Sequence, residues 1–394
     1  MSFPQAHVLP TPTDAMYRNT PCWIGALVVA LTLTACAPDT SRTGAGTGAS
    51  ASAPPITDAS TAGMLQATVV TEPVLNDSDD PAIWLDTTDL TRSLVVGTDK
   101  GDTTGGLYVF RLDGTIDRER TRTPMKRTNN VDIVSGLTVG GRRIDVAVTT
   151  ERGAQAIRVF RLPDMTPIDQ GGIRVFDGDA SRAPMGIALW RRPADGAVFA
   201  IVGGKSGPAD GYLWQYRLED AGNGTVRGVK VRAFGRYSGK KEIEAIAVDR
   251  TLGYVYYSDE TVGIRQYRAD PDAPDANAEL ALFGTSGFVS DHEGLAIYPT
   301  SDTTGYLLAS DQQGQRLRVF SREGTPGAPF AHALLAVIPV DAMETDGLDV
   351  TPRNLGPTFP QGMLVMMSTD RTFRFYDWRN VAARIARRDT LVTK

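Results

Sequence analysis

The chain has 394 residues, enough for one large domain or two ordinary ones, and 40 of them are glycine. Aromatic residues are spread along the whole length and stretches with a helical period are scarce, a profile that favours an all-β protein. The formal net charge of −5 argues against a nucleic-acid-binding protein, because such proteins carry a positive surface.

The N-terminal region has the features of an export signal. Arg18 precedes the apolar run "CWIGALVVALTL", which is too short for a comfortable membrane span and has the anatomy of a signal peptide. The run ends in "LTAC", which resembles the cleavage and lipidation motif of bacterial lipoproteins. We therefore predict a signal peptide over residues 1–35 and a lipid on the thiol of Cys36. The alternative is an ordinary secretory signal followed by a free cysteine.

Residues 36–64 are small, polar and rich in proline, so we expect them to form a flexible linker that buries no core. A folded domain is predicted over residues 65–394. Cys22 leaves with the predicted signal, so this domain has no cysteine and no disulfide, although exported proteins meet conditions that permit disulfides. We expect an exported protein held only by its lipid at the outer membrane, in the periplasm or at the cell surface.

Six copies of one short pattern follow one another along the folded domain. Each copy is an apolar alternation that ends in an aromatic residue: "LYVF" at Phe110, "IRVF" at Phe160, "LWQY" at Tyr216, "IRQY" at Tyr267, "LRVF" at Phe320 and "FRFY" at Tyr376. The intervals between these aromatic residues are 50, 56, 51, 53 and 56 residues. A period of about 50 residues is typical of the four-stranded blade of a β-propeller.

Two further strand-like runs precede each copy. The nearer runs are "SLVVGT", "IDVAVTT", "VFAIVGG", "YVYYSD", "YLLASD" and "MLVMMST", and the more distant ones are "PAIWLD", "VSGLTV", "GIALW", "EAIAVD", "EGLAIY" and "DGLDV". They alternate or are wholly apolar, as expected of strands buried between stacked sheets. We therefore predict an all-β fold, a six-bladed β-propeller of four-stranded antiparallel blades. A β-sandwich with coincidental spacing is the alternative.

Acidic residues recur at one end of the predicted strands. Neighbouring strands of a blade run antiparallel, so the residues before the first strand and those after the second lie on the same face of the propeller. Before the first strands stand Asp77, Asp79, Asp80, Asn129, Asn130, Asp132, Glu242, Glu244, Asp291, Glu293, Glu344 and Asp346; after the second strands stand Asp99, Lys100, Glu151, Arg152, Lys205, Asp259, Glu260, Asp311, Gln312, Asp370 and Arg371. Carboxylates from five blades are thus predicted to meet at one mouth of the central channel.

Such a group of carboxylates needs compensation, because like charges held close together repel. Oxygen ligands without clustered histidine or cysteine suit a hard cation, and calcium accepts about six to eight of them. A zinc site is disfavoured because the folded domain has only His292 and His332. Each acidic cluster taken alone is more often a turn or a cap than a set of metal ligands, because aspartate and asparagine are common in turns.

Several hydrolytic mechanisms have no support in this sequence. The folded domain has no cysteine for a thiol nucleophile, and it lacks an "RHG" pair, a "GxSxG" elbow and a P-loop. Metal-assisted hydrolysis remains, in which bound cations polarise the substrate and orient a water molecule. Lys100, Arg152 and Lys205 would then hold further anionic groups of the substrate, or they form salt bridges with neighbouring carboxylates.

These motifs together resemble the β-propeller phytases, the alkaline, calcium-dependent family. The resemblance rests on "DSDDPAIWLD", "TDKGDTTGGLYVFRLDG", "RTNNVDIVSGL", "TTERG", "VGGKSG", "GKKEIEAIAVD", "YYSDE", "SDHEGLAIY", "GYLLASDQQ" and "ETDGLDV", which occur in that order over nearly the whole folded domain. It implies a six-bladed propeller that hydrolyses the calcium complex of phytate, myo-inositol hexakisphosphate. The implied enzyme is a phosphoric monoester hydrolase of the 3-phytase type.

The resemblance also implies the roles of individual residues. It implies several calcium ions as the cofactor, with Asp79, Asp80, Glu244, Asp259, Asp291, Glu293, Gln312 and Asp346 as their ligands. It implies that Lys100, Arg152 and Lys205 bind the substrate phosphates. The residues implied in catalysis, by a metal-activated water and without a phosphoenzyme, are Glu244, Asp259, Asp291, Lys100 and Arg152.

Two departures from the family pattern bear on the site. Met185 stands where the family often has a tyrosine, which puts a phosphate hydrogen bond in doubt, and "MMSTDRT" differs from the family's last-blade motif. Two other functions stay open on the residues alone: a calcium-dependent propeller lactonase or esterase, and a binding propeller without catalysis. We expect a monomer whose partner is a small-molecule substrate and not a nucleic acid.

Overall fold

Six strands, each the first of its sheet, surround a central axis and contact one another in cyclic order. The computed structural model describes residues 63–392. In the first strand of blade one, Ser78–Trp84, every residue is buried, because the first strands of blades two and six flank it. The predicted six-bladed propeller is confirmed. The predicted signal peptide, the lipidation site at Cys36 and nearly all of the predicted linker lie outside the described residues.

Each blade is an antiparallel sheet that extends outward from its first strand. From the axis outward the strands are Ser78–Trp84, Leu94–Asp99, Gly105–Arg111 and Arg122–Met125 in blade one; Thr128–Val139, Arg142–Glu151, Ala156–Leu162, then Thr166–Pro167 and Ile173–Arg174 in blade two; Pro184–Arg191, Val198–Gly204, Asp210–Gly222 and Thr225–Arg236 in blade three; Ile246–Asp249, Tyr254–Asp259, Gly263–Arg268 and Ala281–Phe283 in blade four; His292–Pro299, Gly305–Asp311, Arg316–Ser321 and Leu334–Pro339 in blade five; and Leu348–Thr351, Met363–Ser368, Thr372–Asp377 and Val69–Val70 in blade six.

Blade six is built from both ends of the folded domain. Its outer strand, Val69–Val70, pairs antiparallel with Thr372–Asp377, with Val69 opposite Phe375 and Val70 opposite Arg374. The other three strands of this blade come from the C-terminal part of the chain. This pairing closes the ring of blades with main-chain hydrogen bonds, and closure protects the sheet edges that an open propeller would leave exposed.

Apolar side chains fill the spaces between adjacent blades. Val95 and Phe110 of blade one pack with Phe373 and Phe375 of blade six. Gly97 permits this close approach, because a Cβ at that position would lie 2.3 Å from the ring of Phe373. With no cysteine after Cys36, the described domain depends on this burial and on closure of the ring, each buried side chain contributing about 1.5–3 kcal/mol.

Two details differ from the sequence prediction. Blade two has five strands, because Gly171 and Gly172, both at positive φ, separate its outer position into two short strands that each pair with Ala156–Leu162. A helix, Trp378–Val392, follows the last strand and was not predicted. Its side chains Val381 and Ile385 are buried against blades five and six. Within residues 63–392 no helix has the length and apolar character needed to cross a membrane.

Candidate metal and phosphate site

In four of the six blades a break in strand pairing at the start of the first strand presents one side chain toward the axis. In blade one, Ser78 pairs with Asp99 and Pro81 pairs with Gly97, so Asp79 and Asp80 lie opposite a single residue, as in a β-bulge. Blades two, three and five have the same break. We call the position two residues before the resumed pairing the inner ring. Its members in blades one to six are Asp79, Asn129, Met185, Glu244, Glu293 and Asp346.

Members of the inner ring contact one another across blades. The Nδ2 of Asn129 donates a hydrogen bond to Asp79 Oδ2 at 2.9 Å, and it also donates to Glu244 of blade four. Asn129 therefore joins carboxylates of two blades that are not neighbours, which brings both of them to the axis. Met185 is buried and offers no hydrogen-bond donor at the position where the family often has tyrosine.

A second set of side chains, the outer ring, comes from the residue that follows each second strand. Its members in blades one to six are Lys100, Arg152, Lys205, Glu260, Gln312 and Thr369. Each main-chain N–H donates to a carbonyl ahead of the first strand of the same blade, for example from Lys100 to Asp77 at 2.8 Å and from Arg152 to Arg127 at 3.0 Å. The repeated hydrogen bond holds the outer ring at the same end of the channel as the inner ring.

The three predicted cations lie together on blades one to three. Lys100 Nζ is 2.8 Å from Asp79 and 2.7 Å from Asp346, and Lys205 Nζ is 2.6 Å from Glu242. The Nη1 of Arg152 donates to Asn129 Oδ1 at 3.1 Å. Burial alone would lower the pKa of Lys100, but Asp79 and Asp346 raise it above its ordinary value, so this side chain stays charged at any physiological pH.

Carboxylates dominate blades four and five. Oxygens of Glu242, Glu244 and Glu260 lie within 4.8 Å of one another, and so do oxygens of Glu260, Asp291 and Glu293. We call these five residues the acidic cluster. Lys241 is inserted into it, with Nζ 2.7 Å from Glu260 Oε2 and 2.7 Å from Asp291 Oδ2.

Burial and mutual repulsion raise the proton affinity of the acidic cluster. Burial, more than the neighbouring Glu242 and Asp291, raises the pKa of Glu260 to about 7. Burial and the charges of nearby carboxylates raise the pKa of Glu244 and of Glu293 well above the ordinary range. Burial would also raise the pKa of Asp291, but hydrogen bonds from Lys241 and Gln313 lower it.

The donor set of the acidic cluster fits a hard divalent cation. Glu260 and Glu293 are 0% and 4% exposed, and among the described residues nothing donates a hydrogen bond to Glu293 Oε2 or Glu260 Oε1. Buried carboxylate oxygens without donors are costly unless a cation or proton compensates them. Oxygen-only ligands suit calcium better than zinc. His292 is directed elsewhere, with Nε2 2.7 Å from the carbonyl of Gly284 and its ring stacked on Phe288.

The structure corrects the position of Asp259. Its carboxylate accepts hydrogen bonds from Ser238 N at 3.0 Å and Ser238 Oγ at 2.7 Å and forms an ion pair with Arg265 at 2.8 Å. With these lone pairs engaged and no exposed surface, it is a structural brace and not a member of the acidic cluster. The next residue, Glu260, takes the place that was predicted for it.

The same brace recurs in other blades. At the equivalent position Asp99 accepts from the main chain of Asn76 at 3.0 Å, Glu151 from Lys126 at 2.8 Å, and Asp311 from Val289 at 2.9 Å. In blades two, four and five the brace also pairs with an arginine of the third strand: Arg158, Arg265 and Arg318. These are the arginines of "IRVF", "IRQY" and "LRVF", so the repeat encodes the brace. An alignment of the pairs Asp99–Lys100, Glu151–Arg152 and Asp259–Glu260 would have shown that Glu260 is equivalent to Lys100 and Arg152.

Asp80 also lies apart from the acidic cluster. Its Oδ2 accepts a hydrogen bond from Val131 N of blade two at 2.9 Å, and its Oδ1 lies against Gly347 of blade six. Asp132 and Asp349 make equivalent bonds to Leu189 N at 2.6 Å and to Ile83 N at 2.8 Å. These three carboxylates tie neighbouring first strands together, along a channel cavity of about 570 Å³, so the expectation of a calcium ligand at Asp80 is replaced by this role.

The remaining predicted residues are brought together at the mouth. Gln312 Nε2 donates to Asp346, and Asp291 accepts from Gln313 Nε2 at 2.7 Å. Sequence reasoning selected Gln312, Asp291 and Asp346 as ligands. It placed Asn129, Glu242 and Glu260 at this mouth without giving them a role, and it did not name Lys241 or Gln313. In blade six Asp370 pairs with Arg374 and Thr372, so it is engaged locally.

Fold and site together define a six-bladed propeller with an acidic channel mouth flanked by cations. The chain matches the family model for phytases over residues 32–375. It is 27% identical to the 3-phytase of Bacillus subtilis (strain 168) over 333 residues, which cover 79% of this chain and 83% of that protein. The chain therefore belongs to the phytase family, whose members are phosphoric monoester hydrolases.

Two solved structures are similar to this chain at low identity. One is the WD40 β-propeller domain of Doa1, with a TM-score of 0.45, 11% identity and coverage of 79% of this chain and 96% of that one. The other is a hydrazine synthase from Kuenenia stuttgartiensis, with a TM-score of 0.47, 12% identity and coverage of 75% and 82%. Neither likeness bears on the activity of this chain.

Two adjacent substitutions separate the brace from the acidic cluster. Asp259→Asn breaks a buried ion pair with Arg265, so we expect a loss of about 3–5 kcal/mol in the free energy of unfolding. Glu260→Gln removes a repelled charge, so the melting temperature in EGTA at pH 8 should be unchanged or higher. Thermal unfolding of both variants measures this difference. Equal destabilisation by the two substitutions would contradict the separate roles of Asp259 and Glu260.

The raised pKa values predict how pH affects the metal-free protein. Burial and neighbouring carboxylates raise the pKa of Glu260 and of Asp346 to about 7 from ordinary values of 4.5 and 3.8. A carboxyl group whose folded pKa is raised stabilises the fold below its unfolded pKa and loses that contribution as pH rises through the folded value. In EGTA the melting temperature should therefore fall between pH 5 and 8, by on the order of 5 °C.

Calcium and one variant serve as controls for this pH effect. Metal ligands must be deprotonated, so the stabilisation by added calcium should grow over the same pH range. Glu260→Gln should flatten the profile measured in EGTA. A melting temperature that rises from pH 5 to 8 in EGTA would contradict the assignment of repelling carboxylates at the mouth.

Proposed function

We propose that this protein hydrolyses the phosphomonoesters of myo-inositol hexakisphosphate, bound as its calcium complex, with a metal-activated water. The observation that carries the proposal is the arrangement of charges at the mouth. Lys100, Arg152 and Lys205 on blades one to three face a cluster of five carboxylates on blades four and five. A ligand that satisfies both sides has several negative groups and carries metal ions.

The acidic side would hold the metal ions. Several calcium ions are proposed, with ligands from the five residues of the acidic cluster and from Asp79 of blade one, Asp346 of blade six and Gln312 of blade five. The two buried oxygens without donors, on Glu260 and Glu293, support this assignment. When bound, calcium supplies charge neutralisation of the reacting phosphate and lowers the pKa of a bound water.

The basic side would bind and orient the phosphates. Arg152 is held through Asn129 and, among the described residues, has no carboxylate within 4.0 Å, so its remaining guanidinium donors are available for bidentate binding. Lys205 keeps half of its side-chain surface exposed, so its ammonium reaches solvent at the rim. Lys100, between Asp79 and Asp346, keeps a fixed positive charge beside the inner ring.

Direct attack by water is supported against a phosphohistidine or a cysteinyl intermediate, because the described domain places neither histidine nor cysteine at the mouth. Neither histidine of the described domain faces the mouth: His332 lies between Ser321 O at 2.8 Å and Gln266 Oε1 at 3.1 Å, and His292 is stacked under Phe288. No cysteine occurs after Cys36. The relative named a 3-phytase supports 3-phytase specificity, and family membership disfavours the lactonase and the purely binding propeller.

Phosphate release from sodium phytate tests the proposal. We expect hydrolysis with added CaCl₂, little with EGTA, and no turnover of a lactone. Glu244→Gln should lower kcat/KM by about 100-fold or more, while its melting temperature changes by only on the order of 2 °C. Glu119→Gln is the matched control, because Glu119 is exposed and lies between the third and fourth strands of blade one, at the end of the blade opposite both rings.

Two results would contradict the proposal. Full activity in EGTA would exclude a catalytic metal. Turnover of a lactone together with inert phytate would move the protein to the rival class of hydrolase.

We also propose that the protein is exported and acts as a monomer anchored through a lipid on Cys36. The apolar run that ends in "LTAC" supports this proposal. Cys36→Ser should shift the full-length protein from the detergent phase to the aqueous phase in Triton X-114 partitioning and abolish labelling by radioactive palmitate. Labelling that persists in Cys36→Ser, or an aqueous wild-type protein, would contradict the anchor.

A further inference from the structure

Lys241 occupies an unusual position among the lysines of the mouth. It lies in the segment that leads into blade four, and its ammonium bridges Glu260 of blade four and Asp291 of blade five at 2.7 Å each. The main chain of this segment is anchored on both sides of Lys241, because Ser238 binds Asp259 and the carbonyl of Glu242 accepts a hydrogen bond from Glu260 N at 3.2 Å. The side chain therefore extends into the acidic cluster from a fixed base.

The ammonium of Lys241 contacts two carboxylates that would be ligands of a metal ion. Glu260 and Asp291 belong to the three-carboxylate group whose third member is Glu293. Glu293 Oε2 is buried without a donor, so the lysine compensates two of the three carboxylates and leaves the third uncompensated. Two cations cannot share this space cheaply, since charges a few ångströms apart repel strongly in a partly buried site.

Exposure distinguishes Lys241 from the other bridging lysine. The side chain of Lys241 is 41% exposed, whereas that of Lys100 is 22% exposed. A half-exposed lysine on a flexible stem can turn to solvent when its partners are taken by another cation. Lys100, between Asp79 and Asp346, has less surface toward solvent and is held more firmly.

We propose that Lys241 is an intramolecular competitor for the metal ion bound by Glu260, Asp291 and Glu293, an inference that rests on the proposed function. In the metal-free protein its ammonium neutralises two carboxylates and stabilises the mouth. Metal binding displaces it, so its presence weakens the affinity of this position for calcium. Lys241 is thus a positioning residue that sets the calcium concentration at which the site fills.

Calcium titration of the purified protein by calorimetry, without substrate, tests this role. Lys241→Met should tighten the Kd of one calcium site by about tenfold, because the metal no longer displaces a cation. Lys241→Arg keeps the charge and should keep the wild-type Kd. Lys240→Met is the matched control and should also match the wild type, since Lys240 is an exposed neighbour with no carboxylate within 4.0 Å among the described residues.

Melting temperatures guard against a folding defect. Lys241→Met should melt lower than the wild type in EGTA and at least as high in saturating calcium, a pattern that general destabilisation does not produce. If Lys241→Met binds calcium as the wild type does, or more weakly, the competitor role is wrong. If the wild type binds no calcium, the proposed function fails and not only the role of Lys241. A raised KM for phytate with an unchanged calcium Kd would instead make Lys241 a phosphate ligand and overturn the inference.

Discussion

Repulsion among carboxylates held at one mouth of the channel is the constraint on which this structure depends. Glu244, Glu260 and Glu293 are buried close to one another, and burial makes their charges expensive. The metal-free protein compensates in two ways. Lys100 and Lys241 each bridge two carboxylates, and burial raises the pKa of Glu260 to about 7, which favours its neutral form. A site stabilised by such temporary partners is one that a divalent cation can take over.

The propeller makes this concentration of charge possible. Bulges at the start of the first strands direct inner-ring residues of several blades toward the axis, and a repeated N–H to carbonyl bond sets the outer ring beside them. Braces such as Asp259 with Arg265 and Asp311 with Arg318 fix the connecting segments. Closure by Val69–Val70 then keeps the blades in register against the repulsion. The blades thus supply the stability of the fold, which offsets the repulsion among the carboxylates at the mouth.

Much of the fold was predictable because it is repetitive. An interval of about 50 residues between "LYVF"-like strands determines the number of blades, and antiparallel order determines which ends of the strands meet. The helix Trp378–Val392 was not predicted, because it occurs once, outside the repeat, and directly follows a strand. The positions of the three cations were predicted equally well, since Lys100, Arg152 and Lys205 all lie at the mouth.

Errors in the predicted site arose from single-residue offsets. In extended chain one step reverses the direction of a side chain, so Asp259 points into the brace and Glu260 into the acidic cluster. Asp80 follows Asp79 and points to the neighbouring blades in the same way. Lys241 was missed for another reason: it directly precedes Glu242, at a position where only acidic ligands were sought, and its distances to Glu260 and Asp291 reveal its role. The sequence identifies which carboxylates are available as ligands, but the backbone conformation determines which of them lie close together.

Anomalous diffraction from crystals grown with calcium tests the central claim most directly. The account predicts peaks at the mouth that lie about 2.3–2.6 Å from carboxylate oxygens of Glu260, Asp291 and Glu293, with the previously donor-free oxygen of Glu293 among the ligands. Peaks that are absent from the mouth at millimolar calcium, with these carboxylates still paired to lysine, would contradict it.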